Sequence, residues 1–242
     1  MVEFFANSLM SGYLQSSAMG RGIVLIQLLG SVVMYTMIIG KWRELRGIQK
    51  VSRRVTRDVM GEPCVLNHYL NRRESEHSPI ENIYWSTCDR TIKQLSPKTR
   101  EAVIKHEPGG LPAVLTKHEM GLVKSLAEHA LDEESIRVER GMGVIATVVA
   151  LAPMLGLLGT VWGVLDAFAD MGAAGSATIA TMAPAISSAL VTTVVGLIIA
   201  IPGVAMHSVL MSMVRGILSA MEGFEDDLVG RISLEYQEER SV

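Results

Sequence analysis

Three long stretches of this chain, residues 22–40, 141–165 and 171–214, contain no Asp, Glu, Lys or Arg. No other feature limits the fold as severely. A bilayer core about 30 Å thick is crossed by roughly 20 apolar helical residues, so each stretch is long enough to span it. A lone strand cannot satisfy its backbone hydrogen bonds in lipid, which leaves helix. Apolar residues make up 49% of the 242 positions, and their concentration into three blocks separates the chain from a soluble domain. The first block is too long for the apolar core of a secretory signal. It also runs into basic residues instead of a small-residue cleavage site, so it reads as a retained span.

The charges between the blocks set the orientation. Lys41, Arg43, Arg46, Lys50, Arg53, Arg54 and Arg57 follow the first block, Arg21 alone precedes it, and residues 166–180 hold no Lys or Arg. Basic residues accumulate on the cytoplasmic side of membrane spans, which puts the N-terminus outside and 41–140 in the cytoplasm. Trp42, Trp162 and Phe168 fall at span boundaries, where amphipathic rings anchor helices. The expected layout is an outer leader (1–20), a first span (21–42), a cytoplasmic helical segment (43–140), a second span (141–169), an outer turn (170–179), a third span (180–212) and a cytoplasmic tail (213–242). The fold class is all-α integral membrane, with the second and third spans extended into the cytoplasm. The leader has two readings, an amphipathic helix in the outer interface or a frayed end.

Within the cytoplasmic segment, Ser78-Pro79 and Ser96-Pro97 read as N-caps followed by Pro at the first helical position, and Pro108 to Pro112 as a loop. Val123, Leu126, Ala127, Ala130 and Leu131 form a helical stripe, with Glu133 and Arg137 as an i,i+4 pair. Nothing there signals a break, so one unbroken helix is expected to run into span two. In the tail, Ile217, Met221, Phe224, Leu228 and Ile232 form a second stripe with Glu222, Glu225, Asp226 and Asp227 largely off it. Cys64 and Cys88 are expected as reduced thiols. No metal spacing is present, and no metal, cofactor or nucleic acid is expected.

The spans themselves carry the functional signal. Gly156, Gly159 and Gly163 lie in the second, and Thr181, Ala185, Ser188, Thr192 and Gly196 share about a quarter of the third helix's circumference, bordered by Thr193. Such a strip faces another helix or a wet cavity. Small and hydroxyl residues are ordinary material for helix contact in membranes, so packing is the competing reading for each. A hydroxyl orients water or binds an ion but does not take up and release a proton near neutral pH. If ions move here, the titrating group belongs to another chain. Asp166 and Asp170, one turn apart near the outer boundary, attract cations or simply sit in the interface; His207, near the inner end of span three, reads as an interfacial histidine.

Residues 151–163, Leu-Ala-Pro-Met-Leu-Gly-Leu-Leu-Gly-Thr-Val-Trp-Gly, resemble the TolQ/ExbB family, relatives of the flagellar stator subunit MotA. Residues 183–197, followed by Ala200-Ile201-Pro202, are similar to that family's third span. The two blocks cover about 50 residues; 43–140 match only in layout. The resemblance implies a bacterial inner-membrane motor subunit, with five copies in a ring around the single membrane helices of an ExbD/TolR-like partner whose aspartate takes the proton. A TonB/TolA-like protein is a further partner it suggests. It also implies that Thr160 and Thr193 stand near the partner aspartate; the strip read from the residues then places Ser188 and Thr192 along the same ion path, while Gly156, Gly159, Gly163 and Gly196 are small residues for helix packing. At 1.5 Å per residue, Thr160 lies about 10 Å and Thr193 about 15–20 Å below the outer boundary. Where the family commonly has a glutamate five residues before the threonine, this chain has Ser188. The expected activity is ion-driven mechanical work at the outer membrane, not enzymatic bond-making. A non-conducting scaffold, a stand-alone channel and a sodium-driven member of the family are the rivals.

Overall fold

The computed structural model describes residues 12–13, 16–62, 64–66, 69, 78–97, 100–101, 115–174 and 179–236, apart from the side chains of 173, 174 and 179–181. The leader through residue 11, the loop from Pro108 to Pro112 and the centre of the outer turn lie outside that set. Five helices are described: α1 Ala18–Gly61, α2 Pro79–Gln94, α3 Lys117–Glu139, α4 Met142–Ala174 and α5 Ile179–Tyr236. There is no strand among the described residues. Long windows within α1, α4 and α5 are apolar enough to cross a membrane, giving the three-span all-α architecture.

The run expected to be one unbroken helix is a pair, α3 and α4, joined by a turn at Arg140-Gly141. Gly141 adopts φ +87°, a left-handed conformation that suits a residue without Cβ. Pro is absent from this junction, so the glycine alone marks it.

The chain divides into two compact units, Met1–Lys41 with Gly141–Met211, and Trp42–Arg140 with Ser212–Val242. The first holds the apolar windows. Its interior is formed by Ile23, Met34 and Ile38 of α1, Ile145, Val149 and Ala152 of α4, and Val191, Ile199 and Leu210 of α5. Leu29, Val32, Met154, Leu157, Leu165, Ile198 and Ile201 point outward and are exposed. Lipid tails are as apolar as leucine, so burying such residues gains nothing in a bilayer, and the interior is free to be built from small and polar side chains.

The second unit packs by ordinary aqueous rules. Ser78 caps α2, its Oγ accepting from Glu81 N at 3.2 Å with Pro79 in the first turn. Thr116 and Glu119 form a capping box on α3. Ser96 O accepts from Arg100 N at 2.8 Å; residues 98–99, between them, are not described. Val123, Ala127 and Ala130 are buried, as is the whole tail stripe. Two expectations need correction. Glu133 does not pair with Arg137: it receives both hydrogen bonds of Arg90 from α2, at 2.8 and 3.0 Å, while Arg137 takes the buried Glu134 at 2.6 Å. And Glu225, placed off the stripe by its spacing, is buried. At the end of α1, Arg231 donates to Met60 O at 2.9 Å and Glu62 O at 2.8 Å, satisfying carbonyls the helix leaves open. Cys64 and Cys88 are free and buried; desolvation pushes the Cys88 thiol up to about 12, which leaves it unreactive.

Candidate functional site

The membrane face of interest is the contact of α4 with α5. It depends on glycines at the places where the backbones meet. A Cβ on Gly156 would lie 2.8 Å from Thr193 Cα and 2.9 Å from Thr192 O; one on Gly163 would lie 2.6 Å from Ala189 Cβ. On Gly159 it would overlap the Thr192 side chain, and on Gly196 it would sit 2.6 Å from Ala152 O. Real Cβ atoms do not approach that closely, so any larger residue drives these helices apart.

Close approach brings donors on one helix to carbonyls on the other. Thr193 Oγ1 donates to Gly156 O at 2.9 Å, and Thr192 Oγ1 lies 3.1 Å from the same oxygen and 2.7 Å from Ala189 O. Thr192 is 1% exposed, packed between the helices; Thr193 keeps part of its surface open. Thr160, one turn beyond Gly156 on α4, is partly open, and its hydroxyl returns to Leu157 O at 2.7 Å. Ser188 is buried and donates to Ala185 O at 2.9 Å. The structure therefore divides the four hydroxyls: Thr160 and Thr193 retain accessible surface, while Ser188 and Thr192 face inward. The side chain of Thr181 is not described.

Beyond Thr192 the helices part into a crevice of about 190 Å³. Ser16 and Ser17 enter it ahead of α1, Asp166 and Asp170 from α4, and Ser188 and Thr192 from α5, with Gly159 and Gly163 on the α4 wall. Its polar lining is hydroxyls and carboxylates, set among glycines and alanines, which suits water.

One residue of this site was missed by counting charges. Gln27 of α1 is 3% exposed, and its Nε2 donates to Ala152 O on α4 at 3.0 Å and lies 3.4 Å from Thr192 O on α5. Its Oε1 is buried with no hydrogen-bond partner. Interhelical hydrogen bonds in membranes average about 0.6 kcal/mol. An orphaned buried acceptor costs about 1–3 kcal/mol. The two contributions are of similar size, so the amide adds little net stability to the bundle. The signal was available: an uncharged amide within 19 apolar-block positions has to face protein. Tyr35 makes a second such bridge, its hydroxyl donating to Ile199 O at 3.3 Å, three residues before Pro202.

Residues 94–223 match the model of the MotA/TolQ/ExbB proton channel family. A TolQ protein of the Tol-Pal system from Haemophilus influenzae is 30% identical over 220 residues, covering 89% of each chain. A biopolymer transport protein ExbB from Neisseria meningitidis is 25% identical over 211 residues, 87% of this chain and 90% of the other. An ExbB from Xanthomonas campestris is 37% identical over 120 residues, 50% of this chain and about half (47%) of that relative's length.

Proposed function

Since the chain belongs to the MotA/TolQ/ExbB proton channel family, we propose that it is the ring-forming subunit of an ion-driven motor in the bacterial inner membrane. Several copies surround the single membrane helices of an ExbD/TolR-like partner, the N-terminus is periplasmic, the C-terminus cytoplasmic, and ion flow past the partner's aspartate performs work at the outer membrane. A TonB/TolA-like protein receives that work.

The observation that carries this reading is a polar helix face without a titrating group. Thr160 and Thr193 keep open surface on α4 and α5, yet residues 141–165 and 171–214 contain no Asp, Glu, Lys or Arg. A carboxylate at the bilayer centre costs at least about 2.5–3.5 kcal/mol on insertion scales. A hydroxyl-bearing wall lowers that cost for a carboxylate brought by another chain, and has no proton to exchange itself. Ser188, standing where the family commonly has glutamate, keeps the wall uncharged.

Thr160→Val and Thr193→Val test it. Thr160 bonds only its own helix, so valine there removes no interhelical hydrogen bond; at Thr193 it removes one. Both variants are expected to assemble normally and to lose coupled work, read as partner-dependent proton flux in inverted vesicles. Normal flux in both would reduce the hydroxyls to packing. A sodium-driven motor is the second reading, favoured by the oxygen-rich crevice of Asp166, Asp170, Ser188 and Thr192; flux that follows a sodium gradient at fixed pH would select it.

A further inference from the structure

Glycines at 156, 159, 163 and 196 let the α4 and α5 backbones touch, with Thr192 seated on Gly159 and Ala189 on Gly163. That close approach is joined by interhelical hydrogen bonds. Two of these, from Thr192 and Thr193, converge on the single oxygen of Gly156, and one oxygen acts as a pivot.

Gln27 supplies a second point of attachment from a third helix. Its Nε2 reaches Ala152 O at 3.0 Å and Thr192 O at 3.4 Å, one carbonyl on each of the two helices. Ala152 lies one helical turn from Gly156, so the amide and the Thr193–Gly156 bond hold two successive turns of α4 against the adjacent residues 192 and 193 of α5. The glycines make this reach available: Nε2 lies 2.9 Å from where a Cβ of Gly196 would be and 3.4 Å from that of Gly156. Leucine or methionine would fill the same space without stranding a buried acceptor, as Gln27 Oε1 is stranded.

We propose that Gln27 is a positioning residue, whose amide locks the register of α4 against α5 and so sets where the Thr160 and Thr193 hydroxyls stand. Only the functional half of this proposal rests on the motor reading; the register half stands on the hydrogen bonds alone.

The test substitutes Gln27→Met, which keeps the side chain's length and removes both donors. Spin labels at Val161→Cys on α4 and Leu190→Cys on α5, both exposed positions, report the interhelical distance in the full-length chain by pulsed electron paramagnetic resonance. The native thiols are buried and do not compete for label. Proton flux is measured in vesicles holding the chain together with a single-span partner of the ExbD/TolR type. The expected result is an assembled Gln27→Met complex at wild-type yield, a broadened distance distribution, and flux at least tenfold lower. An unchanged distribution, or flux within twofold of wild type, overturns the proposal. Loss of assembly overturns it too, because Gln27 is then simply a packing residue. If the wild-type complex itself carries no flux, the motor reading fails, and the distance distributions alone decide whether Gln27 sets the register.

Discussion

Glu225 illustrates what one buried side chain does to a helix designed for water. It is 6% exposed, and burial raises its pKa above the ordinary 4.5, with Asp226 and Glu128 adding repulsion and Lys124 opposing. Lys117 and Lys124 of α3 and Asp226 of α5 line the same groove. A carboxyl whose folded pKa is raised binds its proton more tightly in the folded state. Its contribution is fully present below the unfolded value and is lost as pH rises through the folded one. A glutamine side chain at this position imitates the protonated form. Glu225→Gln is therefore expected to raise the thermal midpoint at pH 7.5, with the gap to wild type closing near pH 4. A lower midpoint at pH 7.5 would mean that Lys124 holds the charge and burial does not dominate. The apolar spacing of the tail could not show any of this. It placed Ile217, Met221, Phe224, Leu228 and Ile232 correctly, but Glu225 is desolvated in company with Lys124 and Glu128 of α3, about a hundred residues away. Glu133 went astray for a like reason: its spacing to Arg137 is local, and the residue that takes it, Arg90, is not.

At the scale of elements, the spans were the easiest part to read because lipid admits few solutions: uncharged length alone implies helix. The break at Gly141 was harder, since a glycine within a helical pattern is either tolerated or marks a cap, and its φ of +87° decides. The contact between α4 and α5 separates glycines that matter from those that do not. At Gly159 a Cβ would overlap Thr192, whereas at Gly143 and Gly172 nothing lies within 4 Å. Overpacking a tight interface costs about 1–3 kcal/mol or more, and here the clash is with a side chain already pinned to Gly156 O and Ala189 O. Gly159→Leu should abolish monodisperse protein in detergent, judged by size-exclusion chromatography, and Gly143→Leu should leave the profile unchanged. Equal profiles would show that α4 and α5 do not meet at Gly159. Gln27 escaped notice at this scale because the sequence was searched for charge, and an amide carries none.

For the whole molecule the question is where the proton is held. Apart from His207 near the inner end of α5, the three charge-free stretches offer a permeating ion hydroxyls, one buried amide and backbone carbonyls, none of which changes protonation state near neutral pH. Asp166 and Asp170 bring carboxylates only as far as the crevice whose inner end is Thr192, and Thr192 is closed against α4 by its bond to Gly156 O. A proton entering that crevice meets no carboxylate further in along the charge-free stretches. The chain reconstituted by itself into liposomes with an internal pH-sensitive dye should thus leak protons no faster than empty liposomes, at an imposed potential of about 100 mV, which supplies about 2.3 kcal/mol per charge. Adding a single-span partner with a membrane aspartate should raise the rate at least tenfold, and changing that aspartate to asparagine should return it to baseline. Selective leak through the chain alone would place a titrating path inside it, and the requirement for a second polypeptide would fall.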